Sequence, residues 1–335
     1  MDALSGTGER LPVMNDLSGR SADSPPPLTL PLPHDDLLLE ILLRLPPQPS
    51  SLPRASAVCT RWRRLVSDPG FVSRFLLRHR LRPPILGCFI TDQRRATVSF
   101  VPTMEAPNRV PPGRFSLQRR EGDRFISLGC RHGLVLIHNA WPNKVLVWDP
   151  VAGDQHRLDI PPGFAKKALM NAAVRRATGD FHHFQVVLVG NSDIQSTQAV
   201  ASVYSSVTGL WGNLVSTALP SKDSGFPTMI YMGMPAVMVG GSFYWLISGD
   251  SQGILEFDLD RRSLSWIPMP VEHNGGMGNG NIWVMPAEGG GLGFLFLSGY
   301  CIQLWKRNTD WDGVASWVLG RTVALDKLLS MNSEE

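Results

Sequence analysis

Four cysteines and a histidine pair are the residues of this sequence that could bind a metal or act as nucleophiles. His182 and His183 precede the apolar run FQVVLV, without a Cys or acidic ligand at metal spacing, which favours a structural or exposed role. The cysteines lie far apart and form no C-x-x-C pair: Cys59, Cys88, Cys130 and Cys301. This spacing predicts buried free thiols, and it predicts neither a zinc site nor a disulfide framework.

Two further motifs suggest phosphate binding or acid–base chemistry at first sight. The glycine stretch GGMGNG (275–280) is followed by no predicted helix whose N-terminus could hold a phosphate, so it predicts a flexible loop between blades. The acid pairs Asp35–Asp36 and Asp258/Asp260 fit a helix N-terminus and a turn. No G-x-S-x-G, H-E-x-x-H or P-loop occurs. We therefore expect no catalytic residue, no metal and no cofactor, and a protein that is not an enzyme.

The composition is that of an ordinary soluble protein. Its 335 residues are 43% apolar and 18% charged, which is enough for a sizeable core and more than one domain. No apolar run reaches the roughly 18 residues of a membrane-spanning helix, and the first residues lack the pattern of a secretory signal. We expect a location in the cytoplasm, the nucleus or both, with no membrane partner.

The positive charge is concentrated in one segment. Between Arg54 and Arg82, eight arginines against the single acid Asp68 give +7, whereas the whole chain carries +3. Such a stripe can be a nucleic-acid footprint, the solvated face of a helical domain, or a match to an acidic protein partner. Arg61, Arg63 and Arg64 lie beside an apolar helix face without interleaved aromatics that could stack on bases, which favours a protein partner.

The texture of the sequence divides the chain into four segments. Residues 1–31 are rich in Ser, Pro and Gly and predict a flexible leader. Residues 32–80 have helical apolar spacing, and residues 85–330 consist of short apolar runs between turn residues, with a short tail at 331–335. Only 163–180 is ambiguous. The predicted fold class is multidomain: a small three-helix module followed by a large all-β domain.

The stretch LLLEILLRL (37–45) predicts a helix that is apolar on more than one side. On a helical wheel, Leu39 and Leu43 lie opposite the main apolar face, and Glu40 and Arg44 form a polar strip. The main face spans about 140° and contains Leu37, Leu38, Ile41, Leu42 and Leu45. Helices are also predicted at 56–68 and 69–79, where Phe71, Val72, Phe75 and Leu76 form a face. Because the module has only about 45 residues, it can bury one face of the first helix, and the other must meet a neighbouring domain or a partner.

These residues are recognisable as a set. LPLPHDDLLLEILLRLPPQPSSLPRASAVCTRWRRLVSDPGF resembles the F-box of plant F-box proteins over residues 32 to about 71. The resemblance implies docking to the Skp adaptor of an SCF-type, cullin-based ubiquitin ligase. His34 makes the gap from Pro33 to Ile41 a residue longer than in the commonest form. The implied adaptor-facing set is Leu32, Pro33, Leu38, Ile41, Leu42, Pro46, Leu52, Val58, Cys59 and Trp62. The alternative is that all of them are internal core, which is the default for any single buried leucine.

Four segments of the β region repeat one pattern, an apolar strand that ends in an aromatic residue and is followed by a polar turn. They are VLVWDPVAG (145–153), ASVYSSVTG (201–209), ILEFDLDRR (254–262) and IQLWKRNTD (302–310). Their aromatics Trp148, Tyr204, Phe257 and Trp305 are 56, 53 and 48 residues apart. A period of about 50 residues predicts blades of a kelch-like β-propeller. With a fifth unit at 83–102 the chain barely reaches the roughly four to eight blades over which propellers close. An incomplete propeller is therefore kept as an alternative to a closed one.

This region resembles the F-box-associated β domain of grasses, which in that family is taken to hold the protein to be ubiquitinated. The predicted function is therefore the substrate-recognition subunit of an SCF-type ligase, with a Skp-type adaptor, a cullin reached through it, and an unknown target protein as partners. The alternative is a binding protein that works apart from any ligase and contacts nucleic acid through the Arg54–Arg82 stripe. A weaker option is an enzyme that uses the propeller as a scaffold.

Overall fold

The computed structural model describes residues 35–79, 83–92, 94–164, 170–176, 183–192, 198–220, 228–230, 234–249, 252–270 and 281–328. The leader, the tail, GGMGNG and His182 lie outside these residues. The chain forms two compact units, Met1–Pro84 and Ile85–Glu335, referred to below as the helical unit and the β unit.

The helical unit contains four helices in its described residues, one more than the sequence predicted. They are α1 (Asp35–Leu43), α2 (Ser51–Ser56), α3 (Thr60–Val66) and α4 (Pro69–His79). The helix expected over 56–68 begins only at Thr60, because Cys59 adopts an extended backbone, with φ −162° and ψ 169°, and caps α3. The additional helix is α2, which shares only Ser56 with the predicted range. The Cys59 Sγ accepts a hydrogen bond from the Trp62 N–H at 3.5 Å. Asp68 caps α4 in the same way, since its Oδ1 accepts from the Phe71 N–H at 2.9 Å.

The core of the helical unit lies between α1 and the later helices. α1 packs against α4, and the ring of His79 contacts the carbonyl of Leu43 at 3.2 Å. The fully enclosed apolar side chains are Leu38, Leu42, Leu43, Ala55, Val66, Phe71 and Phe75. Pro46 and Pro47 follow α1 and prevent its continuation, because proline lacks the amide donor.

The β unit consists of antiparallel sheets in chain order, which confirms the predicted propeller-like all-β domain. Sheet 1 has two strands, β1 (Gly87–Asp92) and β2 (Thr97–Pro102), in the region of the expected fifth unit. Sheet 2 has β3 (Phe125–Arg131), β4 (Leu134–Asn139), β5 (Lys144–Trp148) and β6 (Gln155–Asp159). Sheet 3 has β7 (Met170–Arg176), β8 (Phe184–Asn191), β9 (Gln198–Ser205), β10 (Leu210–Trp211) and β11 (Val215–Ala218).

Sheets 4 and 5 continue the same order. Sheet 4 has β12 (Met229–Ile230), β13 (Val237–Val239), β14 (Ser242–Ser248), β15 (Gly253–Asp258) and β16 (Ser263–Pro268). Sheet 5 has β17 (Ile282–Pro286), β18 (Leu292–Ser298), β19 (Cys301–Thr309) and β20 (Ala315–Ala324), followed by α5 (Leu325–Leu328). A 3₁₀ turn at Pro112–Phe115 lies between sheets 1 and 2, and the ambiguous stretch at 163–180 contributes strand β7.

The repeats found in the sequence correspond to the strands β5, β9, β15 and β19 of sheets 2 to 5. Each repeated aromatic side chain packs toward the preceding sheet. Trp148 lies in the core between sheets 1 and 2, and Phe257 lies in the core between sheets 3 and 4. Tyr204 and Trp305 pack against the cores between sheets 2 and 3 and between sheets 4 and 5. The periodic aromatic is therefore a contact between successive blades.

Alternate residues of each inner sheet enter two different cores. In β4, Val135 and Ile137 pack toward sheet 1, whereas Leu134 and Leu136 pack toward sheet 3. This explains why the first four residues of the strand are a continuous apolar run, and the strand is buried along its whole length. Among the described residues, cores join the sheets in the order 1-2-3-4-5, and none joins sheet 5 to sheet 1.

A buried carboxylate fixes the segment that enters β3. Asp123, 4% exposed, accepts hydrogen bonds from the Arg120 N–H at 2.9 Å and from Asn139 Nδ2, and Arg157 Nη2 lies 3.6 Å away. Burial by itself raises the pKa of this carboxyl. The hydrogen bonds from Arg120 and Asn139, together with the charge of Arg157, outweigh it and hold the pKa of Asp123 below its ordinary value.

We expect Asp123→Asn to lower the free energy of unfolding of the β unit by about 2 kcal/mol at neutral pH, because Arg157 loses its buried counter-charge and the amide keeps only one of the two acceptor oxygens. A carboxyl with a depressed folded-state pKa stabilises the fold above its unfolded-state pKa, and that contribution disappears as pH falls through the folded-state value. The difference between wild type and variant should therefore shrink in acid, as measured by urea unfolding at several pH values. The exposed Asp154→Asn is the control, and an unchanged stability of Asp123→Asn at neutral pH would contradict the role of this network.

Candidate docking surface

The outer side of α1 carries apolar side chains that the helical unit does not cover. Leu37 is 55% exposed and Ile41 is 47% exposed. A polar strip lies beside them, in which Arg44 Nε is 3.2 Å from Glu40 Oε1 and Arg78 Nη1 is 3.7 Å from the same oxygen. α1 thus presents a narrow apolar strip with a charged border on the outside of the helical unit.

The wheel correctly indicated that α1 has surplus apolar surface, but it did not indicate which residues form it. Leu38 and Leu42 belong to the five-residue arc, yet they are 1% and 0% exposed. Leu43, expected on the far side, is also buried, and Leu39 packs partly against the same core. Because α4 covers the side of α1 that carries Leu38, Leu42 and Leu43, the uncovered residues are Leu37 and Ile41.

A second exposed apolar segment lies between α2 and α3. Val58 is 61% exposed, and Cys59 beside it is exposed as well. They lie in the short connection after Ala57, the C-cap of α2, and Cys59 has an extended backbone and caps α3. Arg63 supports the same connection, since its Nε donates to the Ser56 carbonyl at 3.3 Å.

The ten residues of the predicted adaptor-facing set fall into three groups. Leu32 and Pro33 lie outside the described residues. Leu38 and Leu42 are enclosed, and Leu52 and Trp62 are partly buried against the same core. The exposed members are Ile41, Pro46, Val58 and Cys59. The adaptor assignment of the set stays a prediction, but burial corrects the expected role of Leu38 and Leu42: they support the surface from beneath and offer no side-chain area to a partner.

Two exposed residues of α4 were missed as surface residues. Leu76, which the sequence pattern grouped with Phe71 and Phe75, is 51% exposed, and Leu77 is 54% exposed. Phe71 and Phe75, with the partly buried Val72, form the core side of α4. The signal was the position of Leu76 and Leu77 beside the charged residues Arg74 and Arg78, which indicates the outer side of a helix.

The arginine stripe lies on the surface of the helical unit. Its described members are all exposed, namely Arg54, Arg61, Arg63, Arg64, Arg74 and Arg78. Arg80 and Arg82 lie outside the described residues. Within residues 35–79, Phe71 and Phe75 are buried and Trp62 is partly buried against the core, so no exposed aromatic ring accompanies the arginines. This arrangement lacks the base-stacking platform of single-strand binders.

The thiols are free, but the expectation that they are buried is wrong for three of them. Cys59, Cys88 and Cys130 are exposed, and Cys301 is partly exposed. In the part of the chain that the structure describes, no group of three or more His, Cys, Asp or Glu side chains could hold a metal ion. No helix within that part is long and apolar enough to cross a membrane.

Comparison with known families matches both units. A family model described as F-box-like covers residues 31–78. Another, described as F-box protein AT5G49610-like, beta-propeller, covers residues 127–335, which is more than half of the chain. The chain belongs to this family of F-box proteins. The predicted resemblance to a plant F-box protein with a propeller-like domain is therefore confirmed.

Three curated proteins of Arabidopsis thaliana are similar to the chain. F-box/kelch-repeat protein At3g23880 is 22% identical over 73% of this chain and 66% of its own length. F-box/kelch-repeat protein At3g61590 is 27% identical over 70% and 59%, and F-box protein At3g17710 is 35% identical over 34% and 29%. The chain thus spans less than two thirds of the length of each of these relatives.

Solved structures resemble the chain only distantly. The periplasmic gluconolactonase PpgL of Pseudomonas aeruginosa is 16% identical, with a TM-score of 0.40 over 68% of this chain and 64% of that one. The allergen Mala s 1 of Malassezia sympodialis is 11% identical, with a TM-score of 0.31 over 58% and 78%. At these scores the likeness supports no statement about the function of the F-box protein.

Stability measurements alone can distinguish the buried side of α1 from its exposed side. Leu42→Ala should lower the free energy of unfolding of the helical unit by about 3 kcal/mol, because it leaves a cavity among Leu38, Phe71 and Phe75. Ile41→Ser should change it by less than about 0.5 kcal/mol, because the side chain already faces water. Native-state hydrogen exchange of amides in residues 35–79 measures both variants. Equal losses for the two would show that Ile41 is packed as deeply as Leu42.

Proposed function

We propose that this F-box protein is the substrate-recognition subunit of an SCF-type ubiquitin ligase. In this role the helical unit docks a Skp-type adaptor and, through it, a cullin. The β unit binds the target protein. The ubiquitin-transfer chemistry belongs to partner proteins, so this chain is no enzyme in the complex and contributes proximity, which raises the local concentration of the target near the ligase.

The observation that carries the proposal is the exposure of Ile41, with Leu37, within a segment that matches the F-box-like family. A helical unit of this size has one small core, and that core is already filled by other side chains of α1. The half-exposed Ile41 and Leu37 gain from burial only if another polypeptide covers them. Val58 adds a second apolar contact on the α2–α3 connection.

Charge supports a protein partner for this unit. The described arginines are exposed on the same helical unit, and no exposed aromatic ring accompanies them within residues 35–79. An acidic protein surface would pair with them and would speed association, whereas single-stranded nucleic acid would need stacking platforms. The alternative of a nucleic-acid-binding protein outside any ligase therefore has the weaker support.

The β unit suits target binding because its cores lie between sheets and leave the loops free. Exposed apolar side chains occupy several turns, including Trp141 at 69% exposure and Trp311 at 92%. Loops carried by a rigid scaffold are the usual position of recognition residues. Binding experiments on these loops would identify the target.

Adaptor capture tests the proposal. Ile41→Asp and Val58→Asp should each reduce co-purification of a Skp-type adaptor with the full chain by at least about tenfold, since a charge placed in an apolar contact costs about 2 kcal/mol or more. Val151→Asp is the matched control, because Val151 is 64% exposed on a turn of the β unit. Leu42→Ala is unsuitable because it disturbs the core.

Undiminished capture by both Ile41→Asp and Val58→Asp would contradict the assigned surface. A complete lack of capture by the folded wild-type chain would contradict the ligase role itself. Salt-sensitive binding of DNA or RNA that depends on Arg61 and Arg64 would favour the alternative.

A further inference from the structure

A small cleft opens in the β unit where sheets 2, 3 and 4 meet. Its volume is about 170 Å³. β3 lines one side through Leu128 to Arg131, β7 lines another through Ala172 to Val174, and Pro235–Ala236 before β13 closes the third. Drug-sized ligands occupy pockets of roughly 300–1,000 Å³. This cleft therefore has room for one side chain or one chain end, between mostly apolar walls.

The backbone conformation of β3 fixes the position of the wall that this strand forms. The pairing of β3 with β4 shifts register between Ser127 and Gly129, which is a β-bulge. Gly129 has φ +151°, and a Cβ atom at this position would lie 3.0 Å from Pro235 Cβ. Only glycine lets the two segments approach this closely, so the cleft is a preformed feature of the packing between sheets.

Among the described residues that line the cleft, Arg131 is the one with a charged side chain. Its Nη1 donates to Met238 Sδ at 3.5 Å, and its guanidinium lies 5.8 Å from the centre of the Phe243 ring. Within the described residues no carboxylate lies within ion-pair distance of it. Partial burial lowers the pKa of Arg131 from its ordinary value, which is the effect expected of a guanidinium that is desolvated without a compensating anion.

Within the part of the chain that the structure describes, the nearby carboxylate of Asp149 does not neutralise this charge. Asp149 is held by Arg176, whose Nη2 lies 2.9 Å from Asp149 Oδ2, and by the N–H groups of Val151 and Ala152. Burial lowers the pKa of His132, and the charges of Arg131 and Arg176 lower it further. A partly desolvated guanidinium next to an apolar cleft is stabilised by an anion that also fills the cleft.

We infer that the cleft binds a carboxylate of the target polypeptide, either an acidic side chain or the C-terminal carboxylate, with Arg131 as the anchor. The inference rests on the proposed target-binding role of the β unit. The planar guanidinium can bind a carboxylate through two parallel hydrogen bonds, and the apolar walls accommodate the aliphatic part of the same residue. A single arginine suits one negative charge better than the nearly doubly charged phosphate group.

Binding of labelled peptides to the full chain tests this. Four fluorescein-labelled nonapeptides share a Gly/Ser/Leu sequence: one ends in a free carboxylate, and three are amidated and carry an internal Glu, Gln or phosphoserine. Fluorescence polarisation should show binding of at least one carboxylate peptide that is at least about tenfold tighter than that of the Gln peptide, the size expected of a charge-assisted hydrogen bond. The preferred carboxylate peptide identifies the source.

The variants locate the effect. Arg131→Gln should abolish the preference for carboxylate, and Arg131→Lys should retain part of it, because the charge remains but the two-pronged geometry is lost. Arg261→Gln is the control, since it removes the same charge from an exposed turn of sheet 4. The rate of alkylation by iodoacetamide tests the location on the wild-type chain. The bound peptide should slow the modification of Cys130, which lines the cleft. It should not change the modification rate of the exposed Cys88.

Several outcomes would overturn the inference. These are equal binding of the Glu, Gln and free-carboxylate peptides, tighter binding of the phosphoserine peptide, an unchanged preference in Arg131→Gln, or no saturable binding by the folded wild type up to about 1 mM peptide. None of these outcomes depends on the adaptor. Intact adaptor capture with failed peptide binding would therefore reject only the proposed carboxylate binding by the cleft. Failed capture with carboxylate binding intact rejects the ligase role and leaves the chemistry of the cleft standing.

Discussion

The limited interior of the helical unit is the constraint on which the account depends. Six of the nine residues of α1 are apolar, and α4 covers only one side of the helix. Leu38, Leu42 and Leu43 take that side, which leaves Leu37 and Ile41 in water beside the Glu40–Arg44 pair. The well-packed inner side of α1 stabilises the helix. Its uncovered outer side leaves apolar surface that a partner can bury.

In the β unit, apolar surface is covered by neighbouring sheets. Each inner sheet is apolar on both faces and shares one core with the sheet before it and one with the sheet after it. Trp148 and Phe257 show how a periodic aromatic residue serves this arrangement, since each faces the preceding sheet. The packing fixes the strands and leaves turns and the Arg131 cleft as places where another molecule can be recognised.

Local sequence patterns predicted much of this fold and less of the site. The repeats around Trp148 and Trp305 identified equivalent strands, because an aromatic in each blade meets the same environment. The start of α3 at Thr60 was missed because a single extended residue, Cys59, leaves the apolar spacing of 56–68 nearly helical. The short helix α2 lies almost wholly before that range and was not predicted. The choice between Leu38 and Leu37 as the inner residue depends on where α4 lies, which the wheel does not contain. The cleft depends on β3, β7 and Pro235 meeting in space, so Arg131 carried no signal in the sequence.

Side-chain footprinting of the helical unit tests the central claim most directly, because it needs no substitution. The full chain is exposed to hydroxyl radicals alone and in the presence of a purified Skp-type adaptor, and oxidation is read by mass spectrometry. The account predicts that Leu37, Ile41 and Val58 become protected in the complex, while the exposed Val151 and Val207 of the β unit are oxidised as before. Unchanged oxidation of Ile41 in a sample that contains the complex would contradict it.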